Sequence, residues 1–392
     1  MHNRMFRFGC FCLSILAVWL EIFCFPAAAS PTIQDTTTAF PNVSAQSAIL
    51  IEAESGQIIY EKNAQLRLPM ASTTKIMTAI VAMELADPST VIQVSPLAVG
   101  IEGSSVYLYA GEQLSLENLL YALLLESAND AAVAIAIAVA GDLPTFVERM
   151  NQKASELGLE NTHFTNPHGL DHEEHYTTAA DLARLAAYCM KNELFRTVVA
   201  TQRMTIPLHT TEGVRLLLNH NRLLRTYPGT IGLKTGFTKR SGRCLVSAAL
   251  RDHVQLIAVT LNAPRDWQDH RDLFDFGFAK YVSVSLISAK NYVRQIPVIG
   301  AVSNTATVSN ATEMRKILSA NHGKITMICE APHIHFGGVY AGQPLGRLIW
   351  YCDGAIIAST PLYAQESIPA LPVRASLWTR IKTRLFKLPQ TE

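Results

Sequence analysis

The chain has 392 residues, of which 49% are hydrophobic, and a formal net charge of +1 at pH 7. A chain of this length exceeds one average domain and can bury a sizeable core, so we expect two domains. Because a nucleic-acid-binding domain normally carries a strongly basic face, the near-neutral charge argues against nucleic acid as a partner.

The first 29 residues have the pattern of a secretory signal peptide. Arg4 and Arg7 precede an apolar run over residues 8–20, and the small residues Ala27-Ala28-Ala29 form a cleavage site. We therefore expect export and removal of this segment, with an uncleaved anchor as the alternative. The Thr-, Pro- and Ser-rich stretch over residues 30–45 is expected to be a flexible leader.

A hairpin and then a helical region are predicted next. Residues 48–60 have the pattern of two strands joined by the glycine turn Ser55-Gly56. Helical spacing of apolar residues dominates residues 72–191. Within this region, Thr178 followed by Asp181 predicts a capping box at the start of a helix.

The start of the helical region carries a serine and a lysine three residues apart. Ser72-Thr73-Thr74-Lys75 follows Pro69, where a helix can begin but cannot extend backwards. Residues three apart lie on one helix face, so Ser72 and Lys75 can touch. A serine hydroxyl needs a base at neutral pH, and an uncharged lysine amine can take its proton. Burial and a second cation, for which Lys234 is the candidate, would lower the pKa of Lys75 as this chemistry requires.

Ser127 and Asn129 lie on a predicted loop between two helices. A leucine-rich run over residues 116–125 precedes them, and an alanine-rich run over residues 131–140 follows. A hydroxyl and an amide two residues apart can face one cleft. There the amide can bind a substrate carbonyl, and the hydroxyl can relay a proton to a leaving amine.

Strands return further along, and one of them carries Lys234-Thr235-Gly236. The predicted elements are strands over residues 203–208, 214–218, 230–234, 243–249 and 254–261, and a helix over about 266–279. Lys234 with Thr235 suits a carboxylate, and Gly236 removes a side chain that would block a peptide from pairing with an edge strand. Strands at both ends with helices between them favour one antiparallel sheet covered by helices.

The remainder of the chain predicts a small β domain and an amphipathic tail. Short apolar runs separated by Gly and Pro extend from about Val282 to Tyr363, and their role is either a stalk or partner-binding module or a packing appendage. The tail has apolar residues at helical spacing and basic residues elsewhere on the wheel: Leu377, Trp378, Ile381, Leu385 and Leu388, with Arg380, Lys382, Arg384 and Lys387. This pattern predicts a helix lying in a membrane interface and attracted to anionic headgroups. A helix docked on its own protein is the alternative.

The first two motifs are each common in a chain of this length and K-T-G is less so, but their joint order and contexts are specific. S-x-x-K, S-x-N and K-T-G in this order resemble the set found in penicillin-binding proteins and class A β-lactamases. The chain resembles more closely the serine D-alanyl-D-alanine carboxypeptidases, the low-molecular-weight penicillin-binding proteins of peptidase family S11. This resemblance covers about residues 45–365 and includes the segments 68–75, 126–132, 163–171 and 232–238.

The resemblance implies an α+β fold. It comprises a β-lactamase/transpeptidase-like domain over residues 46–280, with an antiparallel sheet, helices on both faces and a helical subdomain. A small all-β domain over residues 281–366 and a basic membrane-anchoring helix over residues 367–392 follow.

The resemblance also implies a role for each motif residue. The implied catalytic residues are Ser72 as acyl-ester nucleophile, Lys75 as its general base and Ser127 as proton relay. The implied substrate-binding residues are Asn129, Lys234, Thr235, Gly236 and Phe237. The backbone N–H groups of Ser72 and Phe237 would hold the oxyanion. Some family members carry Arg near the position of His220, so the way in which the substrate carboxylate is clamped stays open.

The implied function is removal of the terminal D-alanine from peptidoglycan stem peptides, with covalent inhibition by β-lactam antibiotics. The resemblance implies no cofactor and no metal. It also implies a location at the outer face of the bacterial cytoplasmic membrane. Three alternatives remain: a D,D-endopeptidase of the same fold, a β-lactamase, and a catalytically silent wall-binding scaffold. Class A β-lactamases use a Glu for deacylation, and Glu160 does not lie in a matching context.

Two further clusters have ordinary interpretations. His168, His172, Glu173, Glu174 and His175 lack the spacing of a zincin helix, so we interpret them as a polar surface loop. Cys329 and Cys352 are the only cysteines that we consider as a disulfide pair, because both lie in the β-rich region of an exported chain.

Overall fold

The structure is a computed structural model that describes residues 40–208 and 213–372. The predicted signal peptide, residues 30–39 of the leader and residues 373–392 of the predicted anchor lie outside these residues. At the end of the predicted leader, Val43 and Ala45 are buried. Between them, the backbone N–H and the hydroxyl of Ser44 donate to the carboxylate of Asp269 at 2.9 and 2.6 Å.

One antiparallel sheet combines two strands near residues 47–62 with three strands within residues 230–261, as the sequence predicts. Its strands are β1 (Ser47–Glu52), β2 (Ile58–Lys62), β7 (Thr230–Thr238), β8 (Gly242–Arg251) and β9 (Val254–Leu261). They lie in the order β2-β1-β9-β8-β7, so β7 is an edge strand. Strand β7 extends four residues beyond its predicted end at residue 234. The edge position leaves one side of β7 open to an extended ligand.

The central strands β1, β8 and β9 are mostly apolar and mostly buried because both faces of the sheet are covered. In β1, Ile49 and Ile51 face one apolar core, whereas Ala48 and Leu50 face the other. This alternation follows from the two-residue period of a strand. Helices therefore pack on both faces, as expected for the α+β class.

Eight α-helices are described. They are α1 (Lys75–Leu85), α2 (Leu116–Leu125), α3 (Asn129–Ala140), α4 (Leu143–Glu156), α5 (Ala179–Cys189), α6 (Glu193–Ala200), α7 (Leu223–Thr226) and α8 (Asp266–Lys280). Thr178 caps α5 by accepting from the Asp181 N–H at 3.1 Å, but the predicted capping box is incomplete. The Asp181 carboxylate instead accepts from the N–H of Asn161 and the hydroxyl of Thr162.

Two small hairpin-like sheets lie beside the helices. They are formed by β3 (Val91–Gln93) with β4 (Gln113–Ser115), and by β5 (Arg203–Pro207) with β6 (Val214–Leu218). The strands predicted over residues 203–208 and 214–218 thus exist but do not join the main sheet.

The end of the described chain is all β, with its own apolar core. Its strands are β10 (Tyr281–Ile287), β11 (Val293–Ile299), β12 (Thr305–Asn310), β13 (Met314–Ser319), β14 (Ile325–Glu330), β15 (His335–Phe336), β16 (Pro344–Cys352) and β17 (Ala355–Ala364). Strands β10 and β13 pair, and the other six form a sheet in the order β14-β16-β17-β12-β11-β15. Trp350, Leu348 and Val308 are among the residues buried in this third core.

Cys329 and Cys352 do not form the disulfide considered above. Both are free, and they lie on neighbouring strands four residue pairs apart, since Cys329 opposes Leu348 and Cys352 opposes Ile325. Four steps along a strand separate them by about 13 Å, well beyond the Cα distance that a disulfide spans.

No single helix among the described residues has the length and apolarity needed to cross a membrane. Helices α3 and α4 meet that test only when they are taken together, across a bend of 88°.

A loop over residues 161–178 holds the turn that carries Ser72. This turn is a short 3₁₀ helix, Ala71–Thr74, rather than the first turn of the predicted α-helix. The backbone of Gly169 lies so close to it that an added Cβ would stand 2.0 Å from the Ala71 carbonyl oxygen. Gly169 also has a φ of +92°, which favours glycine. Only glycine therefore fits where the loop meets the turn.

Replacement of Gly169 tests this contact. We expect Gly169→Ala to lower the free energy of unfolding by about 3 kcal/mol or more, because left-handed backbone strain adds to a backbone clash. Gly100→Ala is the matched control, since Gly100 has a φ of +73° and open space around its Cα. The control should cost about 1 kcal/mol from backbone conformation alone. Urea denaturation measures both values, and equal losses would contradict the contact.

Candidate active site

The serine and lysine of the first motif are in contact. The Nζ of Lys75 lies 3.0 Å from the Oγ of Ser72. Two further acceptors surround the same nitrogen, the Asn129 Oδ1 at 2.7 Å and the His168 carbonyl oxygen at 2.6 Å. Ser72 is the second residue of the 3₁₀ helix, and Lys75 is the first residue of α1. The three-residue spacing therefore places both side chains on one side of the turn.

Lys75 is buried in a way that disfavours its charge. Its side chain is 0% exposed, and burial is the main cause that holds its pKa well below the usual range. The nearby ammonium of Lys234 lowers the pKa further, while Asp130 opposes this effect. The structure thus brings the second lysine within electrostatic range of the first, as the sequence predicts.

Asn129 is oriented by a loop that covers it. Its Nδ2 donates to the Glu102 carbonyl at 2.5 Å, and its backbone N–H donates to the Ser104 carbonyl at 2.7 Å. This arrangement fixes the amide so that its oxygen faces Lys75. Ser127 precedes α3 with a φ of +62°, lies on the predicted loop, and is 5% exposed.

The third motif lies on the edge strand β7 beside the serine turn. An added Cβ on Gly236 would stand 3.1 Å from the backbone nitrogen of Ser72. The glycine thus allows β7 to pack closely on the turn, in addition to the substrate approach predicted from the sequence. Lys234 is 1% exposed, and burial lowers its pKa to about 7, opposed by Glu126. Phe237 is 66% exposed.

A cleft of about 580 Å³ joins these groups. Its lining includes the predicted residues Ser72, Ser127, Thr235, Gly236 and Phe237. Lys75, Asn129 and Lys234 lie behind this surface, since each is less than 5% exposed. The three motifs, which are far apart in sequence, thus converge on one cavity.

His220 also lines the cleft and has a charged partner. Its Nε2 lies 3.2 Å from the Glu126 carboxylate. Burial and the Lys234 charge lower the pKa of His220, whereas Glu126 raises it. The sequence placed His220 near the carboxylate site but gave no sign of Glu126. The Glu126 carboxylate contacts His220, which lies 94 residues later in the chain.

The histidine cluster is a polar surface loop only in part. His172, Glu173 and Glu174 are exposed, but His175 is 3% exposed and packs beneath the serine turn. The prediction is wrong for His175 because contacts distant in sequence, rather than its polar neighbours, set its burial.

His175 links the loop to the serine turn through a directed set of hydrogen bonds. The Thr165 N–H donates to its Nδ1 at 3.0 Å, so the neutral ring carries its proton on Nε2. That nitrogen donates to the Thr74 hydroxyl at 2.8 Å, which donates to the Ala71 carbonyl at 2.7 Å. Burial lowers the pKa of His175 to about 3, so the ring stays neutral at ordinary pH.

The loop also presents the His168 carbonyl to Lys75. The Asn166 Oδ1 accepts from the N–H groups of His168 and Gly169, which shapes the turn at this point. The contribution of His168 comes from its backbone, and no residue-type signal in the sequence indicates it. In the described part of the chain, no group of three or more His, Cys, Asp or Glu side chains is placed to hold a metal ion.

Comparison with known proteins identifies the family. The profile of the peptidase S11 family, described as D-alanyl-D-alanine carboxypeptidase, matches residues 34–265. The chain is 31% identical over 372 residues to the D-alanyl-D-alanine carboxypeptidase DacF of Bacillus subtilis, covering 91% of this chain and 94% of that protein. It is 30% identical over 269 residues to a D-alanyl-D-alanine endopeptidase of Pseudomonas aeruginosa, covering 67% of this chain and 84% of that one.

A solved structure has the same fold. Penicillin binding protein 5 from Haemophilus influenzae superposes with a TM-score of 0.65 at 26% identity, covering 84% of this chain and 98% of that one. The fold is therefore the penicillin-binding/transpeptidase type with a β-rich C-terminal part, as the resemblance implied. The chain belongs to the D-alanyl-D-alanine carboxypeptidases of peptidase family S11.

Proposed function

We propose that this chain is a serine-type D-Ala-D-Ala carboxypeptidase that removes the terminal D-alanine from peptidoglycan stem peptides through an acyl-enzyme on Ser72. The contact of 3.0 Å between the Lys75 amine and the Ser72 hydroxyl carries the proposal. Membership of the S11 family supports the substrate class.

The acceptors around Lys75 explain how it acts as a base. A neutral amine has two N–H groups and one lone pair. The Asn129 Oδ1 and the His168 carbonyl take the two N–H groups, so the lone pair is directed at the Ser72 hydroxyl. Lys75 then removes the hydroxyl proton as the oxygen attacks the carbonyl of the penultimate D-alanine.

The remaining steps use groups around the same cleft. The backbone N–H groups of Ser72 and Phe237 hold the oxyanion that forms. As the C–N bond breaks, Ser127 relays the proton from Lys75 to the leaving nitrogen, and D-alanine departs. Water then attacks the ester and regenerates the Ser72 hydroxyl. β-Lactams acylate the same oxygen.

The terminal carboxylate is held by Lys234 and Thr235. The Lys234 ammonium is buried, and its interaction with an incoming carboxylate is therefore stronger than at an exposed site. His220 lines the same part of the cleft and can add a second donor when it is protonated.

The alternatives differ in what they require. A class A β-lactamase mechanism needs a glutamate for deacylation, and Glu160 is exposed and is not among the residues that line the cleft. A silent scaffold has no need of a buried lysine in contact with a serine. A D,D-endopeptidase uses the same chemistry on a larger substrate, and one relative carries that name.

We also propose that the protein is exported and peripherally anchored at the outer face of the bacterial cytoplasmic membrane. The signal-peptide pattern of residues 1–29 and the basic amphipathic sequence of residues 367–392 support this location. The role of the β-rich domain over residues 281–366 stays open between a stalk or partner-binding module and a packing appendage.

Replacement of the nucleophile tests the activity. Ser72→Ala should lower D-alanine release from a synthetic D-Ala-D-Ala pentapeptide by about 10⁴-fold or more and abolish covalent labelling by a fluorescent penicillin. Ser127→Ala, which keeps the nucleophile and its base, should still be labelled at a lower rate. Labelling of the Ser72 variant would contradict its role. Failure to label the wild type would favour the silent scaffold, and rapid loss of its label would favour a β-lactamase.

The pH dependence of kcat/KM tests the two lysines. Activity needs Lys75 neutral, so it should fall as the pH drops through the lowered pKa of that amine. Carboxylate binding needs Lys234 charged, so activity should fall as the pH rises above about 7. Because the two amines interact, the apparent pKa values of the two limbs belong to the pair and not to either lysine alone.

Lys234→Arg separates the limbs, because a guanidinium keeps its charge at all accessible pH values. The alkaline limb should move to higher pH in this variant while the acidic limb remains. An alkaline limb that stays at the wild-type pH would show that Lys234 does not carry it.

Vesicle binding tests the anchor. In the full mature chain, we replace four basic residues by Gln: Arg380, Lys382, Arg384 and Lys387. The change should weaken the free energy of binding to vesicles that contain anionic lipid by about 1 kcal/mol for each charge, and co-sedimentation should fall accordingly. Vesicles of zwitterionic lipid are the control and should show a smaller difference. Equal binding of both proteins to anionic vesicles would contradict an electrostatic anchor.

A further inference from the structure

A series of buried hydrogen bonds ends on the peptide bond that precedes the nucleophile. The Thr165 N–H donates to the His175 Nδ1 at 3.0 Å, and the His175 Nε2 lies 2.8 Å from the Thr74 hydroxyl. The Thr74 hydroxyl donates to the Ala71 carbonyl at 2.7 Å. Because a carbonyl oxygen can only accept, this hydroxyl must accept from His175, so the direction of donation is fixed. We call this series, from Thr165 to Ala71, the hydrogen-bond chain.

The side chains of the hydrogen-bond chain are removed from water. Thr74 is 0% exposed and His175 is 3% exposed. Burial lowers the pKa of His175 to about 3, so its ring is neutral at neutral pH and keeps one donor and one acceptor nitrogen. In such surroundings each hydrogen bond polarises the next, by about 10–30% per bond. The effect therefore accumulates at the Ala71 carbonyl.

The Ala71 carbonyl and the Ser72 N–H belong to the same peptide unit. The bond between these two residues is trans, so its C=O and N–H groups point in opposite directions. A hydrogen bond that the carbonyl accepts draws electron density towards the oxygen and leaves the hydrogen of the N–H group more positive. The hydrogen-bond chain thus acts on the N–H group of the nucleophile from the buried side of the peptide.

The Ser72 N–H is placed to bind an acceptor in the cleft. The first backbone hydrogen bond of the 3₁₀ helix runs from the Thr73 N–H to the Met70 carbonyl at 3.2 Å. The Ser72 N–H lies one residue earlier and therefore has no acceptor within this helix, as is general for the first residues of a helix. Ser72 lines the cleft, and its N–H is one of the two groups proposed above to hold the oxyanion.

The backbone of Ala71 makes control of this peptide necessary. Its φ of +46° is strained for a residue with a side chain. Rotation of the adjoining peptide plane would relieve the strain and turn the Ser72 N–H out of position. The hydrogen bond from Thr74 holds the Ala71 carbonyl, and hence the N–H group in the same plane, against this rotation.

We propose that Thr74 and His175 are positioning residues that orient and polarise the Ser72 N–H as an oxyanion donor. The inference rests on the proposed function, in which that N–H holds the oxyanion. No proton transfers along the hydrogen-bond chain. The benefit is largest when negative charge develops on the substrate oxygen, so it increases the rate of acylation rather than the binding of the intact ligand.

Replacement of Thr74 tests the proposal through acylation by penicillin. Loss of a whole oxyanion donor costs about 10²–10³-fold, and in Thr74→Val the N–H remains, so its acylation rate constant at saturating penicillin should fall about tenfold. The penicillin concentration that gives half of this maximal rate should stay within about twofold of wild type. Thr74→Ser keeps the hydroxyl and should also acylate within about twofold of the wild-type rate.

Thr73→Val is the matched control, because Thr73 lies in the same turn and is equally buried. Its hydroxyl donates at 2.6 Å to the Met70 carbonyl, which belongs to the preceding peptide and not to that of the Ser72 N–H. Each valine variant loses one buried hydrogen bond, so both should unfold at similarly lowered urea concentrations. The control should nevertheless acylate within about threefold of the wild-type rate.

The infrared spectrum of the acyl-enzyme reports on the oxyanion site independently of any rate. A penicillin that is isotope-labelled at its β-lactam carbonyl gives an ester band whose frequency falls as that carbonyl accepts stronger hydrogen bonds. The band should move to higher frequency in Thr74→Val and stay at the wild-type position in Thr73→Val. A merely structural role for the Thr74 hydroxyl does not predict this difference.

Variants of His175 test the other end of the hydrogen-bond chain. His175→Leu should slow acylation by about threefold, less than Thr74→Val, because the bond from Thr74 to Ala71 remains but is no longer polarised. His175→Gln can accept through its amide oxygen and donate through its nitrogen, so it should recover most of the wild-type rate. These two variants decide the question if Thr74→Val does not fold.

The outcomes separate this inference from the proposed function. Acylation of Thr74→Val at the wild-type rate, or an ester band at the wild-type position, would overturn the inference and leave the carboxypeptidase intact. Equal slowing in Thr73→Val would also overturn it, since a general loosening of the turn would then explain the effect. If penicillin fails to acylate the wild type, the proposed function itself is rejected.

Discussion

The active centre depends on a buried amine with three fixed neighbours. Lys75 is fully buried, and its nitrogen contacts the Ser72 hydroxyl, an amide oxygen and a backbone carbonyl. Loss of charge at this nitrogen leaves two hydrogen bonds intact and turns the third contact from donor to acceptor. The surroundings therefore determine both the protonation state of the amine and the direction of its lone pair. An exposed lysine at the same distance from the serine would have neither a lowered pKa nor a fixed lone pair.

This geometry is held from outside the three motifs. Asn129 is fixed by the backbone at Glu102 and Ser104, and the His168 carbonyl is fixed by the loop that Asn166 shapes. The same loop reaches the serine turn through His175 and packs against it at Gly169. A turn that contains Ala71 at a φ of +46° needs such support, because a non-glycine residue in that region is strained. The loop is thus as much a part of the centre as the motif residues.

The sequence predicted those parts of the structure that follow from local pattern. The limits of β6 and β9 agree with their apolar runs, and the contact between Ser72 and Lys75 follows from helical spacing. The burial of His175 did not, because it arises from a hydrogen bond to a residue 101 positions earlier, while its neighbours in sequence are charged and exposed. The packing of β7 on the Ser72 backbone at Gly236 was not predicted either, because only the folded chain brings these two segments together. Local pattern carries no information about such approaches between distant segments.

Electrostatics link the two sides of the cleft. Two buried lysines lie within electrostatic range, and the Lys234 ammonium disfavours charge on Lys75, so the site is organised to gain an anion. A carboxylate that binds at Lys234 stabilises that ammonium, and the bound ion pair has little net charge with which to depress the pKa of Lys75. Binding of a carboxylate at Lys234 would therefore raise the pKa of Lys75 and make the neutral amine a stronger base. The proposed carboxylate site at Lys234 thus serves the base as well as the substrate.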